Sequence, residues 1–212
     1  MLKYLEKYRN FELCQEISKK IKKISKKPVK LMEVCGTHTM SIFRHGIRGL
    51  LPEHISLISG PGCPVCVTSQ EDIDDFIYIS KQENIIITTF GDLIRVPGTN
   101  SSLQKEKAKG QDIRIIYSVF DALEIAQKNP EKKIVFLGVG FETTIPTIAA
   151  AILSAQDLKI NNFFVLCSHK LLPPALFALS NLSKSMNAKI IDGFILPGHV
   201  SVIIGTKGYR IF

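Results

Sequence analysis

Cys63-Pro64-Val65-Cys66 is a Cys-X-X-Cys pair set in the glycine- and proline-rich run Gly60-Pro61-Gly62. Two intervening residues let both sulfurs face one metal ion or each other. A turn that enters a helix supplies backbone N–H groups and a dipole that favour thiolate, the form that binds metal and attacks disulfides, so at least one depressed thiol pKa is expected here. A four-ligand zinc site would need a second such pair, and the sequence has none. The pair therefore reads as a redox dithiol or as part of a site completed from elsewhere. The plain alternative is two structural thiols, but inert buried cysteines have no reason to sit in a Gly-Pro turn.

Cys35-Gly36-Thr37-His38 repeats this logic one strand earlier. His38 can activate the Cys35 thiol, ligate a metal or cap the next helix. Reactive-looking cysteine turns after two successive strands make Cys35 a candidate in its own right. Cys14 falls on a helix and reads as a small hydrophobe. Cys167 ends an apolar strand and reads as core, although His169 stands beside it. Gly138-Val139-Gly140-Phe141-Glu142-Thr143 invites a dinucleotide reading, but Thr143 stands where the last glycine of G-X-G-X-X-G belongs and no acidic residue closes the next strand. Glu142, Thr143 and Thr144 read better as helix N-terminal residues with a side chain to spare. Asp92 and Arg95 are spaced for an ion pair. His199, after Pro197-Gly198, is a candidate ligand or acid/base group, or else a satisfied turn histidine.

All these residues except Cys14 fall where β-rich runs end. The runs are Val29–Val34, Ile55–Ile58, Asn84–Thr89, Ile113–Tyr117, Lys133–Leu137, Phe163–Leu166 and Ile190–Ile195. Most are continuously apolar, as suits parallel strands covered on both faces. Helical patterns lie between them, at Glu71–Lys81, Val119–Lys128, Thr144–Gln156 and Pro174–Met186. An amphipathic helix, apolar at Leu5, Leu13, Ile17, Ile21 and Ile24, precedes them over about Leu2–Lys26. Strand–helix alternation predicts an α/β fold of two Rossmann-like parallel-sheet units with helices on both faces, the second incomplete. The proline and charges of Asn129-Pro130-Glu131-Lys132-Lys133 mark the expected boundary, giving units 1–130 and 131–212. Ligands of open α/β sheets bind outside the carboxyl ends of the strands, so the polar turns describe one crevice.

At 212 residues, 45% hydrophobic and 22% charged, the composition is that of a globular protein. The charged start carries no signal-peptide stretch, and no window approaches the roughly 20 apolar residues of a membrane span. A cytoplasmic location is expected, and five cysteines there read as metal-binding or redox-active. Much of the net charge of +8 lies in Lys19–Lys27. No aromatic residues interleave these lysines, so a solvated helix end explains them better than nucleic-acid binding.

Taken together, MEVCGTHT, SGPGCPVCV, TTFGDLIRVPGT, GVGFETTIPT, SHKLLPPAL and LPGHVSVIIG resemble the HypD-type hydrogenase maturation factors, in that family's order, from about Leu31 to Gly205. The resemblance implies a scaffold that, with the small partner HypC, carries the iron on which the Fe(CN)2CO unit of [NiFe]-hydrogenase is assembled. HypE, supplied by HypF, would donate the cyanide. It implies Cys35 as iron ligand, Cys63 and Cys66 as iron-binding or redox thiols, and His38, Glu142 and His199 as neighbouring functional residues. Such a protein is an assembly scaffold with redox chemistry more than a turnover enzyme. A thiol–disulfide oxidoreductase using Cys63 and Cys66, or a non-catalytic HypC-binding fragment, are the alternatives. The family continues into a region whose cysteines bind a [4Fe–4S] cluster. Those ligands are absent here, so the chain is expected to be a fragment or truncated product.

Overall fold

The computed structural model describes residues 10–185 and 190–210. The start of the expected first helix, with Leu5, and Met186 at the end of the helix expected from Pro174 lie outside these residues. Contacts divide the chain into two compact units. One holds the described residues up to Gly62 together with Phe177–Gly198, and the other holds Cys63–Leu176 and the segment from His199.

The first unit opens with α1 (Phe11–Ile24), where the Asn10 side chain accepts from the Leu13 N–H and Lys22 and Lys23 occupy the last turn. Of its residues only Ser18 is buried, and Ile24 remains 78% exposed. Strand β1 (Val29–Glu33), helices α2 (Gly36–Arg44) and α3 (Ile47–Leu50), and β2 (Ile55–Ser59) follow. A late strand, β7 (Gly193–Ile195), completes a parallel sheet of order β2-β1-β7, with Leu31 opposite both Leu57 and Gly193. Val34 and Glu33, at the C-terminal end of the central strand, are its most deeply buried residues.

The second unit carries α4 (Gln70–Ser80), β3 (Ile85–Thr89), α5 (Leu103–Ala108), β4 (Ile113–Ile115), α6 (Val119–Lys128), β5 (Lys133–Gly138), α7 (Ile145–Asp157), β6 (Phe163–Cys167), the start of α8 (Leu172–Ser185), and α9 (Gly198–Ile204) from His199 onward. Its sheet is parallel, of order β4-β3-β5-β6. Side chains of a strand alternate between faces, and the core follows that alternation. Ile87, Val135 and Leu137 pack with Ile73, Phe76 and Ile77 of α4. Ile86, Ile134 and Phe136 pack with Val119, Ala122, Leu123 and Ala126 of α6 and Ile148, Ala151 and Ala155 of α7. Helices thus cover both faces of this sheet, as parallel strands require.

The sheets do not divide at the 129–133 segment: β5 lies between β3 and β6. That segment is a tight helix-to-strand turn. Asn162 Nδ2 lies 2.9–3.0 Å from the carbonyl oxygens of Ala126, Asn129 and Lys132 and ties the turn down. Asn162→Ala removes a donor from all three carbonyls, of which those of Ala126 and Asn129 keep a backbone N–H at 3.3 and 3.1 Å, and is expected to cost about 1–3 kcal/mol of unfolding free energy. A urea midpoint indistinguishable from that of the unaltered chain would contradict this.

Candidate functional site

In each sheet the strand order reverses at one point, which is where open α/β sheets bind ligands, at the carboxyl edge between the loops after two neighbouring strands. In the first unit this point lies between β1 and β7, and the loop leaving β1 begins with Cys35. Cys35 is extended (φ −156°, ψ 122°), partly buried, and occupies the N-cap position of α2 without capping it. Its sulfur is thus not spent on the helix. His38 lies in the first turn of the same helix, and its buried Nδ1 has no hydrogen-bond partner among the described residues.

Gly62, which directly precedes Cys63, rests on the Cys35 turn. The Gly36 N–H donates to the Gly62 carbonyl at 3.1 Å. A Cβ at Gly62 would lie 2.5 Å from the Gly36 nitrogen and 2.6 Å from the Cys35 carbonyl carbon, so only glycine permits this approach.

Sequence reasoning missed Glu33. Its side chain is fully buried, with Oε1 accepting from Arg48 (3.3 Å) and Ser59 (3.4 Å), while Oε2 has no partner among the described residues. The signal was a carboxylate directly after the apolar pair Leu31-Met32 at the end of β1, two residues before Cys35. A buried oxygen without a donor is rare and marks a place where a ligand or a proton would be accommodated.

Cys63 and Cys66 are free thiols; Cys66 lies in a 3-10 turn, Val65–Val67, and Cys63 just before it. They do not enter a helix directly. Helix α4 begins only at Gln70, and Ser69 caps it by accepting from the Asp72 N–H at 3.1 Å. The Cys66 N–H donates to Cys63 Sγ at 3.4 Å. The Cys66 pKa is raised, first by its side-chain hydrogen bond to Cys63 and then by burial and by repulsion from that sulfur, so Cys66 is not the depressed thiol expected of this pair. Cys66 therefore keeps its proton to higher pH than an unperturbed thiol. Iodoacetamide labelling of Cys66 against pH should show a midpoint above the ordinary thiol value of about 8.5. Cys63→Ala should bring the midpoint down, and an unmoved midpoint would refute the assigned cause.

In the second unit the reversal lies between β3 and β5. The loop after β5 is not a phosphate cradle. A Cβ at Gly138 would lie 3.0 Å from Cε1 of His169, and one at Gly140 would lie 3.2 Å from its Cδ2 and collide with Thr144 Oγ1. The glycines make room for an imidazole ring. Glu142 is buried, and its Oε1 accepts from the N–H of Leu172, the first residue of α8, at 2.8 Å. Oε2 has no partner among the described residues. Asp72 accepts from Ser168 Oγ (2.5 Å) and Lys170 Nζ (3.2 Å), contacts that hold its carboxyl below the usual range, Ser168 contributing most.

His199 is exposed in the first turn of α9 and, with Thr143, Val202 and Ile203, lines a shallow cavity of about 430 Å³. Asp92 and Arg95 are both exposed and no ion pair joins them among the described residues. Nearby, Thr99 donates to Asp74 through its N–H (2.7 Å) and Oγ1 (2.6 Å), so the Pro97-Gly98-Thr99 stretch is a latch. No cluster of three or more His, Cys, Asp or Glu residues is arranged to hold a metal among the described residues, and no helix there is long and apolar enough to cross a membrane.

A profile of the HypD family, described as "Hydrogenase formation hypA family", matches residues 12–212. The chain belongs to the HypD family. It is 42% identical over 216 residues to the hydrogenase maturation factor HypD of Escherichia coli K12, covering 99% of this chain and 57% of that protein. Over 215 residues it is 43% identical to HypD of Rhodobacter capsulatus, covering 98% and 56%. Against HypD of Cupriavidus necator the identity is 42% over 216 residues, covering 100% and 57%. The chain thus spans a little over half the length of these relatives. The family resemblance read from the cysteine and glycine turns is borne out.

Proposed function

We propose that this chain acts in [NiFe]-hydrogenase maturation as the iron-carrying part of a cytoplasmic assembly scaffold, with iron as cargo and Cys35, Cys63 and Cys66 as the thiols that receive it. HypC is its partner in holding the iron, and HypE, supplied by HypF, delivers cyanide to it. The observation that carries this reading is the seating of Gly62 on Cys35-Gly36, which ties the peptide entering the Cys-X-X-Cys turn to the backbone of the other cysteine turn.

Soft thiolate donors suit low-spin iron. His38, whose buried Nδ1 has no partner among the described residues, has the capacity to hydrogen-bond a ligand beside Cys35. Glu33 is a buried acceptor in the same unit. Glu142 positions the start of α8 through Leu172, and His199 offers an exposed acid/base group beside Thr143. Cys63 and Cys66 close reversibly to a disulfide by exchange with an external disulfide, which takes up the two electrons and two protons and leaves as two thiols.

Co-expression with HypC under anaerobic conditions tests the reading: the purified pair should retain iron and show infrared bands of bound cyanide and CO. Iron-free protein whose Cys63 and Cys66 still cycle would replace it with the plain thiol–disulfide oxidoreductase. Association with HypC without iron or redox change would leave only an interaction module.

A further inference from the structure

We propose that Cys167 and His169 form a second, independent thiol–imidazole site that exchanges with small disulfides. Cys167 ends β6, in register with Gly138 of β5, and is exposed; it is not a core residue. Its Sγ lies 3.2 Å from Nδ1 of His169.

The ring is held in place. The N–H groups on either side of it donate to the glycine loop, Ser168 to the Gly138 carbonyl at 2.9 Å and Lys170 to the Gly140 carbonyl at 3.0 Å. The missing Cβ atoms of those same glycines open the space that the imidazole occupies. Its far nitrogen, Nε2, is buried with no partner among the described residues. Burial also lowers the His169 pKa, so the ring is neutral near pH 7. Nδ1 then accepts the Cys167 S–H in the tautomer protonated at Nε2. The charged group bonded to the residues on either side of the ring is already engaged: Asp72 accepts from Ser168 and Lys170.

In the exchange, Cys167 Sγ attacks one sulfur of a small disulfide as His169 Nδ1 takes the thiol proton. The disulfide bond breaks, and a mixed disulfide forms on Cys167. The other half leaves as thiolate and recovers the proton from the imidazolium as a free thiol. Cys167 is oxidised and the leaving half is reduced, with no further reactant.

The test treats the reduced full chain with bis(2-hydroxyethyl) disulfide and follows each cysteine peptide by mass spectrometry. His169→Phe keeps a planar ring in the glycine-lined space and removes the base. It should slow reaction at Cys167 at pH 7 by at least about tenfold and leave Cys14 unchanged. An equal rate at Cys167 overturns the proposal. The unaltered chain supplies a second readout. Below its pKa an ordinary thiol gains about tenfold in rate per pH unit, whereas Cys167 should show a much shallower rise between about pH 6.5 and 8.5. An ordinary slope overturns the pairing. Loss of the Cys167 adduct in a chain with Cys63→Ser and Cys66→Ser would overturn its independence.

Discussion

Cys35→Ser, in the chain co-expressed anaerobically with HypC, is expected to lose nearly all retained iron while the protein stays folded. Cys35 is only partly buried and makes no side-chain hydrogen bond to its helix, so serine disturbs no packing. What changes is the donor. A hydroxyl stays protonated where a thiol ionises, and it is hard where low-spin iron wants a soft ligand. Loss of an outer partner of a metal ligand typically costs 10–100-fold, so loss of the ligand itself should lower retained iron by at least about tenfold. Cys14→Ser, on α1, should retain it. Gly62→Ala supplies the geometric counterpart: it removes no sulfur, yet its Cβ would meet the Cys35-Gly36 backbone and must push the two turns' backbones apart. Iron should fall there too. Full iron in Gly62→Ala would mean that the backbone contact is incidental.

Phe136→Ala should be among the most destabilising single changes in the second unit. Phe136 is fully buried on central strand β5, edge-on to Phe90 with ring centroids 5.3 Å apart, in the cluster shared with α6 and α7. Truncation removes its buried area and leaves a cavity between sheet and helices, for an expected loss of about 3–5 kcal/mol. Against a typical domain stability of about 5–15 kcal/mol, that is a third or more. The urea midpoint should fall with an unchanged slope. Phe120→Ala, on α6 and 40% exposed, is the control and should cost far less. A loss at Phe136 no larger than at Phe120 would contradict the assigned core.

The strands were legible because each is a short apolar run bounded by turn residues, and β1, β3 and β5 begin within a residue of where the runs do. Their partners were not. Nothing in Gly193-Phe194-Ile195 says that it pairs with Leu31-Met32-Glu33, a contact made across most of the chain. A proline beside charges looked like a boundary, whereas Asn162, distant in sequence, makes it a pinned turn. The cysteine turns were legible from residue type and spacing. The start of α4 was legible to within a residue from Ser69-Gln70-Glu71-Asp72, but the Cys63-Pro64-Val65-Cys66 turn does not run straight into it, and the Cys66 thiol takes its shift from Cys63 instead. Glu33, Asp72 and His169 take their roles from partners elsewhere in the chain. Asp72 and Ser168 stand 96 residues apart, and no local pattern announces such a contact.

The central claim is that a thiolate from the Cys35 turn holds the iron. Iron K-edge X-ray absorption on the anaerobically purified complex with HypC measures this most directly. The account predicts sulfur among the nearest neighbours of iron, with that scattering diminished or lost, along with the iron, in Cys35→Ser. A nearest shell of only nitrogen, oxygen or carbon, or one unchanged in Cys35→Ser, would contradict it.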